Sequence, residues 1–158
     1  MKDIVYLKEM ICTVVGMVGA AISSAFGGMT TPLRVLIALM VIDYVSGLVC
    51  AGAFHKSTKS ENGALESKAC WKGLVRKGMI LTLVLVGHYL DVALDINYVK
   101  DFVCIAFTAN EAISITENAG LMGLPVPKVI VKAIEVLQEK GNENANEESE
   151  DENNEKRD

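Results

Sequence analysis

Four apolar stretches, each about as long as a membrane-spanning helix, dominate this chain of 158 residues. A helix needs about 20 mostly apolar residues to cross the hydrocarbon core of a bilayer. The stretches cover residues 10–28, 33–54, 78–96 and 102–124. They predict a small all-α integral membrane protein with three to four transmembrane helices. Because the third and fourth stretches contain acidic residues, a soluble helical bundle is the alternative that this pattern leaves open.

The first stretch can span the membrane, lie flat on it or be removed as a signal peptide. Its charged start and Ser23-Ser24-Ala25 resemble a signal sequence, although Asp3 and Glu9 are unusual in one. Small residues also recur in it at four-residue intervals, and Gly47 adds another in the second stretch. Such residues let membrane helices approach closely, so we predict helix packing at Gly16, Ala20, Ser24, Gly28 and Gly47.

The charge of the chain is concentrated at its C-terminal end. The net charge is −5, yet residues 139–158 contain nine acidic and three basic residues, which leaves about +1 for residues 1–138. We therefore expect a membrane domain over 1–138 without a nucleic-acid surface. Residues 127–139 repeat apolar side chains at helical spacing and predict a short amphipathic helix. Residues 139–158 lack large apolar side chains and predict a disordered acidic tail.

The connection between the second and third stretches is basic. Its lysines and arginines outnumber its acids, and such loops stay in the cytoplasm. The chain is therefore expected to be a multi-pass membrane protein with its C-terminus on the cytoplasmic side. The residues of this predicted cytoplasmic loop, within 55–77, are Lys56, Lys59, Lys68, Lys72, Arg76 and Lys77.

Polar residues interrupt three of the apolar stretches at spacings that place them on one face of each helix. An ionisable side chain at the bilayer centre costs about 2.5–3.5 kcal/mol on insertion scales, so it normally faces a bundle interior or water. The faces are therefore predicted to turn inward, as interhelical contacts or as a pore lining. This predicted polar stripe consists of Asp43, Ser46, His88, Asp91, Asp95, Asn110, Glu111, Ser114, Glu117 and Asn118.

Two further interpretations of these residues stay open on sequence alone. Asp43 by itself fits a neutral, hydrogen-bonded packing contact between helices. The stretch 102–124 also fits a helix that lies flat, with its acids in water.

No pattern predicts a catalytic residue, a cofactor or a metal site. The chain has no GxSxG, HExxH or glycine-rich phosphate loop. Its four cysteines form no CxxC pair, and one histidine beside two acids is a weak metal pattern. We expect a protein that is not an enzyme.

Four short motifs, in order, resemble those of phage holins of the toxin-secretion/phage-lysis type. Residues 43–48, DYVSGL, are similar to that family's DYxTGL signature, with serine where threonine is usual. Residues 67–77 resemble its basic loop, and residues 110–119 resemble its NExxSIxEN block. GLPVP, residues 123–127, is similar to its GxPxP turn. Any one of these motifs is weak, whereas four in sequence are specific.

The resemblance implies a function that composition cannot give. A holin oligomerises in the cytoplasmic membrane of the host and forms lesions that release an endolysin, or in some members a toxin. The implied partners are the lipid bilayer, further copies of the chain and an endolysin, with no required direct contact to the endolysin. The alternatives are a small ion channel or transporter subunit, with the acids as a cation path, and an antiholin.

Overall fold

The computed structural model of the chain describes residues 2–55 and 66–139. The helices are α1 (Lys2–Ala25), α2 (Thr31–Val49), α3 (Ser67–Leu94) and α4 (Val99–Leu121), and a fifth, α5, covers residues 128–139. A π-helical segment, Cys50–Phe54, continues α2. The described residues contain no strand, so the all-α prediction is confirmed. Lys56, Lys59 and the predicted tail beyond residue 139 lie outside the described residues.

Helix α3 begins eleven residues before the predicted span at residue 78. Lys68, Lys72, Arg76 and Lys77 therefore belong to a helix, whereas the sequence interpretation assigned them to a loop. Hydropathy detects where a helix can contact lipid, and it does not detect the helical turns that continue into a more polar region.

The first compact unit, residues 1–30, consists of α1 and the turn that ends it. Gly27 and Gly28 have positive φ angles of 65° and 94°. Glycine adopts this left-handed backbone without strain, and the Gly28 N–H group donates to the Ser23 carbonyl at 2.8 Å. Gly28 thus lies after the end of α1, while Gly16, Ala20 and Ser24 share one helix face.

In the second unit, which starts at Thr31, α4 packs against both α2 and α3. Helices α2 and α3 contact each other much less, so a gap remains between them in front of α4. The core contains Leu36 from α2, Val84 from α3 and Cys104 from α4, all without measurable exposure. These three helices together position every polar residue described below.

Three segments are long and apolar enough to cross a membrane: Lys8–Ala25, Thr31–Phe54 and Ser67–Leu94. Helix α4 is not among them. Its acids and its Lys100 lower its hydropathy, and two of these charged residues, Lys100 and Glu111, are buried. Many outward-facing positions of the two later spans are aliphatic, as lipid contact favours, and they include Val41, Val45, Leu83, Val86 and Leu90.

Candidate functional site: a polar cluster and cavity between three helices

Asp43 continues the buried apolar face of α2. Leu33, Leu36, Met40 and Asp43 recur every three or four residues, and all four are buried. This spacing keeps them on the side of α2 that faces α4. The carboxyl group of Asp43 is therefore carried into the helix interface by the same pattern that buries the leucines.

Lys77 lies between two carboxyl groups from different helices. Its Nζ atom is 2.9 Å from Asp43 Oδ2 on α2 and also bonds to Glu111 Oε2 on α4. The side chains of all three residues are largely buried, with exposures of 12% for Lys77 and 7% for each acid. One cation from α3 thus joins α2 and α4.

Asn118 extends this polar cluster along α4. Its side-chain amide donates to Asp43 Oδ1 at 3.2 Å and to Ser46 Oγ at 2.9 Å. The Ser46 hydroxyl donates to the Asp43 carbonyl oxygen at 3.0 Å. Both carboxylate oxygens of Asp43 therefore have donors. Gly47 lies beside this contact, since a Cβ atom there would be 3.7 Å from the Asn118 amide nitrogen.

The polar cluster, defined as Asp43, Ser46, Lys77, Glu111 and Asn118, contains one cationic group and two carboxyl groups. Burying an ion pair removes water from both charged groups, and the attraction between the two charges only partly offsets the free energy of this lost hydration. The net contribution of a buried ion pair to stability is therefore small. Removing one partner is different, because a charge is then left buried without compensation, at a cost of about 3–5 kcal/mol.

Asp91 has a different role, because its carboxylate caps α4. Its Oδ1 atom accepts from the Val99 N–H group at 2.9 Å and its Oδ2 atom from the Lys100 N–H group at 3.0 Å. These are first-turn N–H groups, which have no partner within their own helix. A carboxylate also interacts favourably with the positive end of the helix dipole. Asp91 fixes the start of α4 against α3.

A cavity of about 510 Å³ lies between α2, α3 and α4, where α2 and α3 separate. The α4 residues of the predicted stripe that line it are Asn110, Glu111, Ser114 and Glu117. From α3 it is lined by Lys72, Arg76 and Lys77, and from α2 by Asp43 and Gly47. Glu111 is buried, whereas Asn110 and Glu117 are exposed to the space. The polar stripe of α4 therefore divides between the polar cluster and an accessible cavity.

His88 and Asp95 lie away from this cavity. His88 is half-buried, with its ring 5.6 Å from that of Tyr89. Asp95 is exposed and ends α3 in the left-handed conformation, with a φ angle of 56°. Of the three residues predicted to share a face of α3, namely His88, Asp91 and Asp95, only Asp91 is buried, where it caps α4. None of the three lines the cavity. Within the described residues, no group of three metal-ligating side chains is arranged to hold a metal.

Sequence reasoning missed Lys77 and Gly87 as interhelical residues. A Cβ atom on Gly87 would lie 3.2 Å from Lys100 Cα, so α3 and α4 approach each other closely there. The sequence did contain a signal for these residues. Side chains on the packed face of a helix recur in alternating steps of three and four residues. In α3 the residues at these steps are Cys70, Gly73, Lys77, Ile80, Val84, Gly87 and Asp91.

The arrangement of three packed helices, with apolar outer faces and a polar interface, agrees with one known family. The chain matches the bacteriophage holin family over residues 20–139. It belongs to this family. The match covers α2 to α5, and with it the polar cluster and the cavity. A holin-family chain with apolar helices of spanning length is a membrane protein.

Relatives of this holin-family chain occur in bacteria and in a phage. An uncharacterised protein of Halalkalibacterium halodurans is 38% identical over 125 residues, which cover 75% of this chain and 87% of the relative. One from Listeria monocytogenes is 36% identical over 126 residues, covering 79% and 84%. A protein of Bacillus phage phi105 named a probable holin is 33% identical over 107 residues, covering 67% and 73%. No solved structure matches the chain significantly.

Proposed function

We propose that this chain is the holin of a phage or prophage. It oligomerises in the cytoplasmic membrane of the host and forms lesions through which an endolysin, or a toxin, leaves the cytoplasm. Family membership and the probable holin of phage phi105 support this assignment. The chain acts through assembly and not through catalysis.

The observation that carries the proposal is that polar groups of three helices face one another beneath an apolar exterior. Asp43, Lys77 and Glu111 satisfy one another between helices, and Glu117 opens on the same cavity. A chain of this kind can insert and accumulate in lipid because the charged groups of its polar cluster are largely buried between helices. On assembly, the same groups would exchange their helix contacts for water and line a lesion.

The proposed orientation places the N-terminal end of α3 and the C-terminus of the chain in the cytoplasm. Lys68, Lys72 and Arg76 are concentrated in the first three turns of α3, and positive residues near the end of a span stay on the cytoplasmic side.

The test is inducible expression in a bacterium, with and without a cytoplasmic endolysin that has no export signal, while culture turbidity is followed. We expect abrupt loss of turbidity only when both proteins are present, and none with the endolysin alone. A collapse of membrane potential without endolysin release would instead support the ion-channel alternative. Delay of the lysis caused by another holin would support an antiholin.

A further inference from the structure

The cavity between α2, α3 and α4 is lined by side chains of both charge signs, and Glu66, directly before α3, is one of its acids. Lys72 and Arg76, one turn apart, contribute cationic groups from α3, and Glu117 contributes a carboxyl group from α4. Within the described part of the chain, these three side chains form no ion pair or hydrogen bond. Lys77, deeper in the same cavity, is already held by Asp43 and Glu111. Charged groups of opposite sign therefore line one cavity without forming an ion pair with each other.

The depth of this cavity in a bilayer follows from the length of α3. Its 28 residues extend for about 42 Å, whereas the hydrocarbon core is about 30 Å thick. The apolar part of α3 is its C-terminal part, so the first turns from Ser67 project into the headgroup layer. Trp71 is 66% exposed on these turns, and tryptophan is enriched at that interface. Lys72, the next residue, therefore lies at the depth of lipid headgroups.

We propose that this cavity binds the headgroup of an amine-bearing phospholipid. The phosphate group lies on Lys72 and Arg76, and the ammonium group on Glu117. The arginine guanidinium presents paired donors that fit phosphate oxygens, and a primary ammonium donates charge-assisted hydrogen bonds to a carboxylate. Such a headgroup would bridge groups of opposite sign that make no direct contact with each other.

The size and the remaining lining of the cavity agree with this ligand. Small-molecule sites commonly enclose about 300–1,000 Å³, and this cavity measures about 510 Å³. Leu48, Ile80 and Phe107 add apolar lining that suits the glycerol and the upper acyl chain. An anionic phospholipid without an amine would satisfy the two cations but would leave Glu117 beside its phosphate. The inference depends on membrane insertion and not on lesion formation, so it can fail independently of the proposed function.

The experiment uses the purified full chain in detergent micelles, titrated with phosphatidylethanolamine, phosphatidylglycerol or phosphatidylcholine that carry the same acyl chains. Bound lipid is counted by native mass spectrometry. We expect phosphatidylethanolamine to bind about tenfold more tightly than the other two, because one charge-assisted contact corresponds to about 1.4 kcal/mol. Glu117→Gln should abolish this preference and leave phosphatidylglycerol binding undiminished. Arg76→Gln should weaken the binding of both lipids.

Two matched variants control for charge alone. Lys68→Gln removes a cation from the same helix, and Glu135→Gln removes an exposed acid from α5; neither residue lines the cavity. Both should bind phosphatidylethanolamine as the unmodified chain does, and all variants should keep the same helical circular dichroism. Equal or tighter binding of phosphatidylglycerol by the unmodified chain would overturn the proposal. An unchanged preference in Glu117→Gln would overturn it too, as would competition by soluble phosphoethanolamine at the concentration at which the lipid binds.

Discussion

The ammonium group of Lys77 on α3 lies 2.9 Å from Asp43 Oδ2 on α2 and bonds to Glu111 on α4 as well. Both partners are 34 positions from Lys77 in the chain, Asp43 before it and Glu111 after it. Because α2 and α3 otherwise contact each other little, this cation is a main link between them. The packing of the second unit therefore depends on a charged group in its interior.

Replacing Lys77 by methionine should destabilise the helical unit strongly. Lys77→Met removes the ammonium group that Asp43 and Glu111 share in the helix interface, and breaking a buried ion pair in this way costs about 3–5 kcal/mol. Thermal unfolding of the purified protein in detergent micelles measures the change. Lys68→Met, an exposed position on the same helix, is the control and should have little effect. If the triple variant with Asp43→Asn and Glu111→Gln did not regain most of the lost stability, unpaired charge would not be the cause.

A methyl group at Gly87 should separate α3 from α4. Its Cβ atom would lie 3.2 Å from Lys100 Cα, and backbone atoms cannot move aside as a flexible side chain can. We expect Gly87→Ala to lower the free energy of unfolding by about 1–3 kcal/mol. Gly78→Ala is the matched control, because a Cβ atom there meets nothing within 4 Å. Since alanine favours helix, that variant should be neutral or more stable. Equal effects of the two substitutions would contradict the close approach.

The cap that Asp91 provides should be visible in hydrogen exchange. Asp91→Ala leaves the N–H groups of Val99 and Lys100 without their acceptors, at a cost of about 0.5–2 kcal/mol. We expect faster amide exchange at both residues, with exchange across α2 unchanged as an internal reference. Asp91→Asn keeps an acceptor oxygen and should lose only part of the protection. Unchanged exchange at Val99 in the alanine variant would rule out the cap.

The proposed orientation can be checked by labelling from outside the cell. In a cysteine-free variant, Ser60→Cys and Asn153→Cys each introduce one thiol on the side proposed to be cytoplasmic. We expect both thiols to resist a membrane-impermeant maleimide in intact cells and to react after the membrane is opened. Labelling of Ser60→Cys before lysis would reverse the orientation.

The positions of the helices could be predicted from the sequence better than the contacts between the helices. The apolar stretch 33–54 located α2 and its π-helical continuation, because a span in lipid needs a long apolar run, whereas α4 is interrupted by charged residues and is not among the candidate spans. The start of α3 was misplaced, since Lys68, Lys72, Arg76 and Lys77 interrupt the apolar pattern in a segment that is nevertheless helical. Lys77 was assigned to a loop for the same reason, and its partners could not be inferred.

The individual roles of the polar residues depend on which helix lies opposite each one. Periodicity placed Asp91 and Asp95 on one face of α3, yet Asp91 caps α4 and Asp95 ends its own helix. In the same way, it grouped Glu111 with Glu117 on α4, whereas Glu111 is buried in an ion pair and Glu117 is exposed in the cavity. A period identifies a face, and the neighbouring helix decides what each residue on that face does.

The most direct test of the account is the time from induction to lysis for Glu111→Gln, Glu117→Gln and the double variant, at matched membrane levels and with a cytoplasmic endolysin. Glutamine still inserts, and Glu111→Gln weakens a charge-assisted bond to Lys77 worth about 1.5 kcal/mol or more. The double variant should therefore accumulate normally and lyse earlier than the unmodified chain. Glu135→Gln, an exposed acid outside the cavity, should keep the original timing. Unaltered timing in the double variant would contradict a functional role for the polar face of α4.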